Sequence, residues 1–134
     1  QARARRPRVL VIDDERILRT TLAALLESHY DVELADSGAA AFTLLAANPR
    51  YDAILCDLMM PDISGMQVKA WLESHAPRLL PRTVFMTGGA FTRNAGEFLE
   101  GGSNRYIEKP FEVTALIELL DKVIGNGAAN NPSL

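Results

Sequence analysis

The chain has 134 residues, enough for one domain with a hydrophobic core, and its 48% hydrophobic and 23% charged content is that of a soluble globular protein. The formal net charge of −3 gives no general attraction to nucleic acid or to an anionic membrane, and the apolar stretches are too short to span a bilayer. The single cysteine, Cys56, excludes an internal disulfide and fits a reducing compartment, so we expect a cytoplasmic location.

The two ends of the chain differ in composition from the rest. Residues 1–7 form a basic segment that we interpret as a linker, because it lacks the aromatic residues with which a nucleic-acid arm would stack on bases. Residues 126–134 are small and polar, and we predict that they are disordered. We therefore expect one domain over residues 8–125. The chain starts with Gln1 instead of Met, which indicates a piece of a longer protein or a processed form.

Five short segments have the patterns of β-strands. Three continuous apolar runs predict strands that are buried on both faces, as in a parallel sheet: Val9–Ile12, Ala53–Cys56 and Thr83–Met86. Two segments alternate apolar and polar residues, which is typical of less covered edge strands: Val32–Ala35 and Arg105–Glu108.

Apolar residues at helical spacing separate these segments. The first predicted helix presents Ile17, Leu18, Thr21, Leu22, Leu25 and Leu26 on one face, and the last presents Val113, Leu116, Ile117, Leu120, Val123 and Ile124. Shorter stripes comprise Phe42 with Leu45, Val68 with Leu72, and Ala95 with Phe98 and Leu99. Ser37-Gly38 and Ile63-Ser64-Gly65 supply turn and cap residues before the second and third helices. This alternation predicts five βα units and an α/β fold with a parallel sheet between two helical layers.

Chemically active side chains follow the predicted strands. Asp13 and Asp14 end the first strand, Asp57 the third and Thr87 the fourth, and the fifth runs into Lys109. In a doubly wound sheet, ligands bind beyond the carboxyl ends of the strands. If the first and third strands are neighbours, three carboxylates converge and repel one another unless a cation lies between them. Mg²⁺, a hard ion that prefers oxygen ligands, suits such a site.

These residue types fit phosphoryl transfer. An aspartate can act as a nucleophile and form an acyl phosphate. The reaction needs positive charge and hydrogen-bond donors around the phosphoryl oxygens, which a metal ion, the Lys109 ammonium and the Thr87 hydroxyl can supply.

Four segments, in this order, resemble the motifs of response-regulator receiver domains from two-component signalling. They are VLVIDDE at Val9–Glu15, AILCDLMMPDISG at Ala53–Gly65, VFMTG at Val84–Gly88 and YIEKPF at Tyr106–Phe111. The resemblance covers about residues 8–125. It implies a flavodoxin-like, doubly wound sheet of five parallel strands in the order 2-1-3-4-5, with five helices.

The resemblance also implies the roles of individual residues. Asp57 would be the phosphoacceptor. Asp14, Asp57 and the backbone carbonyl of Met59 would ligate Mg²⁺ directly, and Asp13 would assist through water. Lys109 would contact the phosphoryl group.

A switch is implied as well. The bond between Lys109 and Pro110 would be cis. Thr87 and Tyr106 would form the switch: Thr87 moves toward the phosphoryl group, the Tyr106 ring enters the vacated space, and the surface of the fourth helix, fifth strand and fifth helix changes shape.

The implied partner is a histidine kinase or a histidine phosphotransfer domain, which donates the phosphoryl group to Asp57. Nucleic acid and membrane are not expected partners of this chain, and a homodimer is left open. A receiver catalyses its own Mg²⁺-dependent phosphorylation and dephosphorylation, so its status as an enzyme is also left open. Met59 and Gly89 occupy positions linked in this family to phosphoryl lifetime, and neither can orient an attacking water. We hypothesise that hydrolysis depends on a partner or on unaided solvent.

Two other functions would be alternatives to an active receiver: a phosphatase, and a degenerate receiver that signals without phosphate. A Mg²⁺-dependent phosphatase of the haloacid dehalogenase type also uses strand-end aspartates, but its pair lies two residues apart on the first strand, whereas Asp13 and Asp14 are adjacent here. A degenerate receiver would lack part of the acidic, threonine and lysine set, which is intact. For the parent protein, the stretch TGGAF at 87–91 resembles receivers of hybrid sensor histidine kinases, and a stand-alone or trimmed response regulator is the alternative.

Overall fold

A computed structural model describes residues 6–88 and 105–129, with side chains described up to residue 125. The described residues form five β-strands, four α-helices and one short 3-10 helix. The strands are β1 (Arg8–Ile12), β2 (Asp31–Ala35), β3 (Ala53–Asp57), β4 (Thr83–Thr87) and β5 (Arg105–Glu108). The helices are α1 (Arg16–Leu26), α2 (Gly38–Ala47), α3 (Gly65–His75), the 3-10 helix (Pro77–Arg82) and the C-terminal helix (Val113–Ala129).

The five strands form one all-parallel sheet in the order β2-β1-β3-β4-β5, which confirms the predicted topology. Every residue of β3 and β4 is buried, as is β1 after its first residue. Residues of β5 alternate between partly buried and exposed, and β2 is only partly covered, with Ala35 its one buried residue. The hydrophobic patterns therefore identified central and edge strands correctly, because only central strands are covered on both faces.

The sheet separates two hydrophobic cores, because successive residues of a strand point to opposite faces. The α2/α3 core contains Leu10, Ile12, Ile54 and Phe85 of the sheet with Leu45, Val68 and Leu72 of the helices. The α1 core contains Val9, Val11, Leu55 and Val84 with Leu22, Leu26, Leu116, Leu120 and Val123. Helices on both faces fix the sheet, and hence the geometry of the strand ends.

The predicted apolar face of α1 is wrong at three positions, Ile17, Thr21 and Leu25, all of which are exposed. The helix buries Leu22 and Leu26 and packs Leu18 against the α1 core. Ile17 is 77% exposed and Leu25 42% exposed. A helix lying on one face of a sheet buries only a stripe of its surface, so an apolar set spanning two adjacent stripes cannot all reach the core.

The predicted helix starts are present. The Ser37 side chain accepts a hydrogen bond from the Ala40 amide at 3.0 Å and caps α2. Ser64 caps α3 in a capping box with Gln67. These caps place the amino-terminal ends of both helices at the edge of the sheet where the acidic residues lie.

Some predictions fall on residues that the structure does not describe. The helical stripe of Ala95, Phe98 and Leu99, together with Gly89, lies outside the described residues, as do residues 1–5 and 130–134. The C-terminal helix extends to Ala129, past the predicted domain boundary at residue 125. Within residues 6–88 and 105–129, no helix combines the length and apolar character needed to cross a membrane.

Gly65, at the start of α3, lies directly against the backbone that carries Asp57. A Cβ atom at this position would be 2.7 Å from the Leu58 Cα and 2.8 Å from the Asp57 carbonyl oxygen. Both neighbours are backbone atoms, which cannot rotate away. The Gly65 amide also donates to the Leu58 carbonyl at 2.9 Å. Glycine is therefore required here by close approach.

We expect Gly65→Ala to lower the free energy of unfolding by about 1–3 kcal/mol, because the added methyl group overpacks fixed backbone. Gly125→Ala in the C-terminal helix is the matched control, since no atom of the described residues lies within 4 Å of its Cβ position. Alanine there should stabilise the protein by about 0.5–1 kcal/mol. Denaturant unfolding of both variants measures the difference, and a Gly65→Ala variant as stable as wild type would contradict the close approach.

Candidate functional site

Three carboxylates converge at the carboxyl ends of two neighbouring strands. Asp13 and Asp14 follow β1, and Asp57 is the last residue of β3. β1 and β3 are paired with Ile12 opposite Cys56, so the acids that follow lie side by side. One ligand oxygen from each carboxylate lies within 4.8 Å of the others. Asp13 and Asp57 are buried and Asp14 is exposed.

Backbone groups hold Asp13 in place. Its Oδ1 accepts a hydrogen bond from the Glu15 amide at 2.7 Å, and its own amide donates to the Ala35 carbonyl at 3.0 Å. The Arg19 guanidinium donates to the Asp13 carbonyl at 3.0 Å, which ties the loop to α1. Oδ2 is buried and has no hydrogen-bond partner among the described residues. One oxygen of this carboxylate is thus positioned for a ligand.

Asp57 is held from two sides. Its Oδ1 accepts a hydrogen bond from the Met59 amide at 3.1 Å, and its Oδ2 accepts one from the Lys109 ammonium at 3.2 Å. The same ammonium lies 3.9 Å from Asp13 Oδ2. Lys109 follows β5, where its amide donates to the Thr87 carbonyl at 2.7 Å and its bond to Pro110 is cis. The lysine therefore reaches the acids from the far side of β4.

The charge in this site is unbalanced. Three carboxylates share the single ammonium of Lys109 among the described residues around them. Burial raises the pKa of the Asp13 carboxyl to about 6, and the nearby Asp57 adds to this while the Glu15 amide opposes it. Burial also raises the pKa of Asp57, against the opposing effects of the Met59 amide and Lys109. A further cation would remove this cost.

The donor set fits Mg²⁺. All three side chains supply carboxylate oxygens, which this hard ion prefers to nitrogen or sulfur. The buried Asp13 Oδ2 lacks a hydrogen-bond partner in the described part of the chain, so it is available to a ligand or to an ordered water. The exposed Asp14 leaves one side open, and Mg²⁺ normally keeps several waters.

The predicted switch residues stand on adjacent strands. Thr87, the last residue of β4, is buried, and its hydroxyl has no hydrogen-bond partner among residues 6–88 and 105–129. Tyr106 lies on β5 opposite Phe85 and is 50% exposed. In this conformation the Tyr106 ring is therefore outside the core. Met59, whose backbone carbonyl is a predicted Mg²⁺ ligand, is 52% exposed and lies two residues after Asp57.

Two cavities flank the acids. One, of about 360 Å³, is lined by Leu18, Lys109, Pro110 and Phe111. The other, of about 200 Å³, is lined by Asp14, Asp36, Ser37, Gly38, Ala39, Met60, Pro61, Asp62 and Ile63. Lys109 thus borders the first cavity and Asp14 the second.

Sequence reasoning missed the backbone groups that support these side chains. Nothing in the residue types indicates that the amides of Glu15 and Met59 donate to the two buried carboxylates, or that Arg19 binds the Asp13 carbonyl. Gly65 was interpreted as a turn residue, and its close approach to the Asp57 backbone was not predicted. Glycine eight residues after a strand-end aspartate is the only signal the sequence offered.

A doubly wound parallel sheet with paired acids beyond β1 and β3 and a lysine beyond β5 defines a flavodoxin-like signalling domain. The chain belongs to the response regulator receiver domain family, whose profile matches residues 9–121. It is thus a receiver domain of two-component signalling, a class that generally binds Mg²⁺ through acidic residues and takes its phosphoryl group from a histidine kinase.

Relatives agree with this assignment. The chain is 38% identical over 117 residues to the response regulator MprA of Mycobacterium sp. (strain KMS), covering 87% of this chain and 48% of the relative. It therefore spans about half the length of the curated relatives it matches. A receiver domain protein from Clostridium thermocellum superimposes with a TM-score of 0.83 at 25% identity, over 92% of this chain and 98% of the other. A Francisella response regulator receiver domain gives 0.76 at 27% identity, over 90% and 98%.

The buried charge of Asp13 should destabilise the metal-free protein. Its folded pKa of about 6 lies above the ordinary value of 3.8, so its cost is absent below about pH 4 and complete above about pH 6. We expect Asp13→Asn to raise the free energy of unfolding at pH 7 in EDTA by on the order of 2 kcal/mol, and to have little effect at pH 4.

Chemical unfolding at the two pH values measures this effect. Asp36→Asn, at an exposed acid outside the cluster, is the control and should change stability by less than about 0.5 kcal/mol. Added Mg²⁺ should stabilise wild type more than Asp13→Asn. An Asp13→Asn variant less stable than wild type in EDTA at pH 7 would show that the carboxylate is not under electrostatic cost.

Proposed function

We propose that this receiver accepts a phosphoryl group on Asp57 from a phosphohistidine of a histidine kinase or a histidine phosphotransfer domain. One observation carries the proposal: Asp57 is 4% exposed and lies 3.2 Å from the Lys109 ammonium, within a cluster of carboxylates. A buried aspartate between a lysine and two further acids has no packing role that would explain it. It has the surroundings that a nucleophilic carboxylate needs.

A carboxylate oxygen of Asp57 attacks phosphorus, the phosphorus–nitrogen bond of the phosphohistidine breaks, and the imidazole nitrogen keeps the electron pair and takes up a proton. The product is an acyl phosphate on Asp57. When bound, Mg²⁺ supplies positive charge to the oxygens of the transferring group. Asp14, Asp57 and the Met59 carbonyl are the proposed direct ligands, and Asp13 is proposed to act through water.

Two residues would respond to the new phosphoryl group. The Lys109 ammonium, now on the Asp57 carboxylate, can bind a phosphoryl oxygen instead. The Thr87 hydroxyl, without a partner in the described structure, can donate to another. Because Thr87 would move toward the phosphoryl group, the half-exposed Tyr106 ring could turn inward and change the surface formed by β5 and the C-terminal helix.

For the parent protein, we propose a hybrid sensor histidine kinase, because the TGGAF stretch at 87–91 resembles the receivers of such kinases. A response regulator with a further domain is the second candidate, and the identity to MprA response regulators supports it. The gene sequence on both sides of this chain would decide between them. A homodimer is tested by light scattering with and without phosphorylation.

We expect Asp57→Ala to abolish labelling by acetyl phosphate in the presence of Mg²⁺, because the nucleophile is removed. Labelling is followed by intact-mass spectrometry or by phosphate-affinity electrophoresis. Asp62→Asn, at an exposed acid of the neighbouring loop, is the matched control and should be labelled like wild type. EDTA should suppress the labelling of wild type. An Asp57→Ala protein that gains an acid-stable, base-labile phosphoryl group at the wild-type rate would overturn the assignment.

Met59 provides a test of phosphoryl lifetime. Its backbone amide donates to Asp57, and its exposed thioether side chain cannot orient water for attack on phosphorus. We expect Met59→Asn to change the dephosphorylation rate by about two- to tenfold, with an increase if the amide orients water. Met59→Leu, which keeps an apolar side chain, is the control. Rates are measured by mass spectrometry after removal of acetyl phosphate. An unchanged rate in Met59→Asn would remove Met59 from the control of hydrolysis.

A further inference from the structure

Tyr30 lies at the end of the sheet opposite the carboxylates and contacts two segments that are distant in sequence. It sits in the turn between α1 and β2 and is 2% exposed, in the α1 core. Its amide donates to the Leu26 carbonyl at 3.0 Å and extends α1 by one hydrogen bond. Its carbonyl oxygen accepts a hydrogen bond from the segment before β1, and its hydroxyl donates one to the C-terminal helix.

The carbonyl of Tyr30 binds the segment before β1. The Arg6 guanidinium donates to the Tyr30 carbonyl at 3.1 Å and also to the Glu27 carbonyl, and it lies 3.9 Å from the Asp31 carboxylate. The Asp31 amide donates to the Pro7 carbonyl at 2.8 Å. The segment Arg6–Pro7 is therefore fastened across the carbonyl end of α1, where a cation also interacts favourably with the helix dipole.

The hydroxyl of Tyr30 binds the C-terminal helix. It donates to Asp121 Oδ1 at 2.7 Å and lies 3.4 Å from the Ile117 carbonyl. Burial raises the pKa of this phenol, and the hydrogen bond to Asp121 adds to the effect, so the hydroxyl remains a donor. Leu116, Leu120 and Val123 of the same helix share the α1 core with the Tyr30 ring.

We propose that Tyr30 couples the segment Arg6–Pro7 to the C-terminal helix, so that a shift of the helix is transmitted to the backbone that enters the domain. The proposal deepens the proposed function, because the C-terminal helix belongs to the surface that phosphorylation of Asp57 is proposed to change. It provides a route from that surface to whatever precedes residue 6. Four groups form this connection: the Asp121 carboxylate, the Tyr30 phenol, the Tyr30 carbonyl and the Arg6 guanidinium.

Tyr51 offers a matched comparison. It is 3% exposed and its hydroxyl donates to Glu33 Oε1 at 2.9 Å, so it forms the same type of phenol–carboxylate bond. It belongs to the α2/α3 core, on the other face of the sheet, whereas the C-terminal helix packs in the α1 core. Loss of the Tyr51 hydroxyl should cost a similar amount of stability without reaching the C-terminal helix.

The test is hydrogen exchange on the unphosphorylated protein. In Tyr30→Phe, we expect the amide of Asp31 and the amides around Asp121 to exchange about fivefold faster, relative to the amides of β3. In Tyr51→Phe the ratio for the amides around Asp121 should stay at the wild-type value, and the Asp31 amide is left out because Tyr51 binds Glu33 in the same strand. Expressing each exchange rate relative to the rates of the β3 amides removes the contribution of global unfolding. A purely structural role for Tyr30 would change all amides together and would overturn the proposal.

Coupling must also be reciprocal, since a coupling free energy has the same value in both directions. Arg6→Ala should speed exchange around Asp121, and Asp121→Ala should speed exchange at Asp31, each by about twofold or more. Arg82→Ala is the control, because Arg82 donates to the Asp52 carbonyl at the same end of the sheet, a hydrogen bond that does not involve Tyr30. Exchange that changes only beside the substituted residue would overturn the coupling.

Phosphorylation then tests the link to signalling. With acetyl phosphate and Mg²⁺, the exchange rate at Asp31 should change in wild type and stay constant in Tyr30→Phe, although both are labelled on Asp57. If wild type is labelled and Asp31 does not respond, the signalling role is wrong. If wild type is not labelled, the proposed function fails, and the coupling is still decided by the unphosphorylated variants.

Discussion

The repulsion among three carboxylates at the ends of β1 and β3 is the constraint on which the site depends. Asp13 and Asp57 are buried, and among the described residues Lys109 is the cation that pairs with their carboxylate groups. Such a cluster costs folding free energy unless a cation compensates for it. Receiver domains generally bind Mg²⁺ through acidic residues, and an ion among these carboxylates would compensate for the cost. The α2/α3 and α1 cores supply the burial that offsets it, since the central strands carrying the acids are covered on both faces.

Most of the fold could be predicted because parallel sheets leave a clear pattern. Val9–Ile12 and Ala53–Cys56 are continuous apolar runs, and such runs have no other simple explanation when acids end them. The order of the strands came from the resemblance of four motifs, since hydrophobic pattern does not determine which strands are neighbours. Ile17, Thr21 and Leu25 were placed on the buried face of α1 wrongly. Periodicity gives the direction of a helix face but not the width of the stripe that its neighbour covers.

The site was predictable at the level of side chains and not at the level of the backbone. Asp57 and Lys109 are identified by residue type and by the segments around them, and the structure brings them to 3.2 Å. Glu15 and Met59 position the carboxylates through their backbone amides. Residue type does not reveal such contacts, because residues of almost every type have a backbone amide. The requirement for glycine at Gly65 is likewise not visible in the residue types. The need for glycine arises from the distance to the Asp57 backbone, which depends on how β3 and α3 pack.

The position of Lys109 after an edge strand has a further consequence. The acids are borne by β1 and β3, each of which pairs with a strand on both sides, whereas β5 has a neighbour only in β4. An edge strand loses fewer hydrogen bonds when it shifts than an interior strand does, so small displacements are cheaper there. The strands that carry the acids should therefore be harder to displace than β5, which leads into Lys109. A change of charge at the site would therefore meet the least resistance on the side of β5, which also carries Tyr106 at the surface.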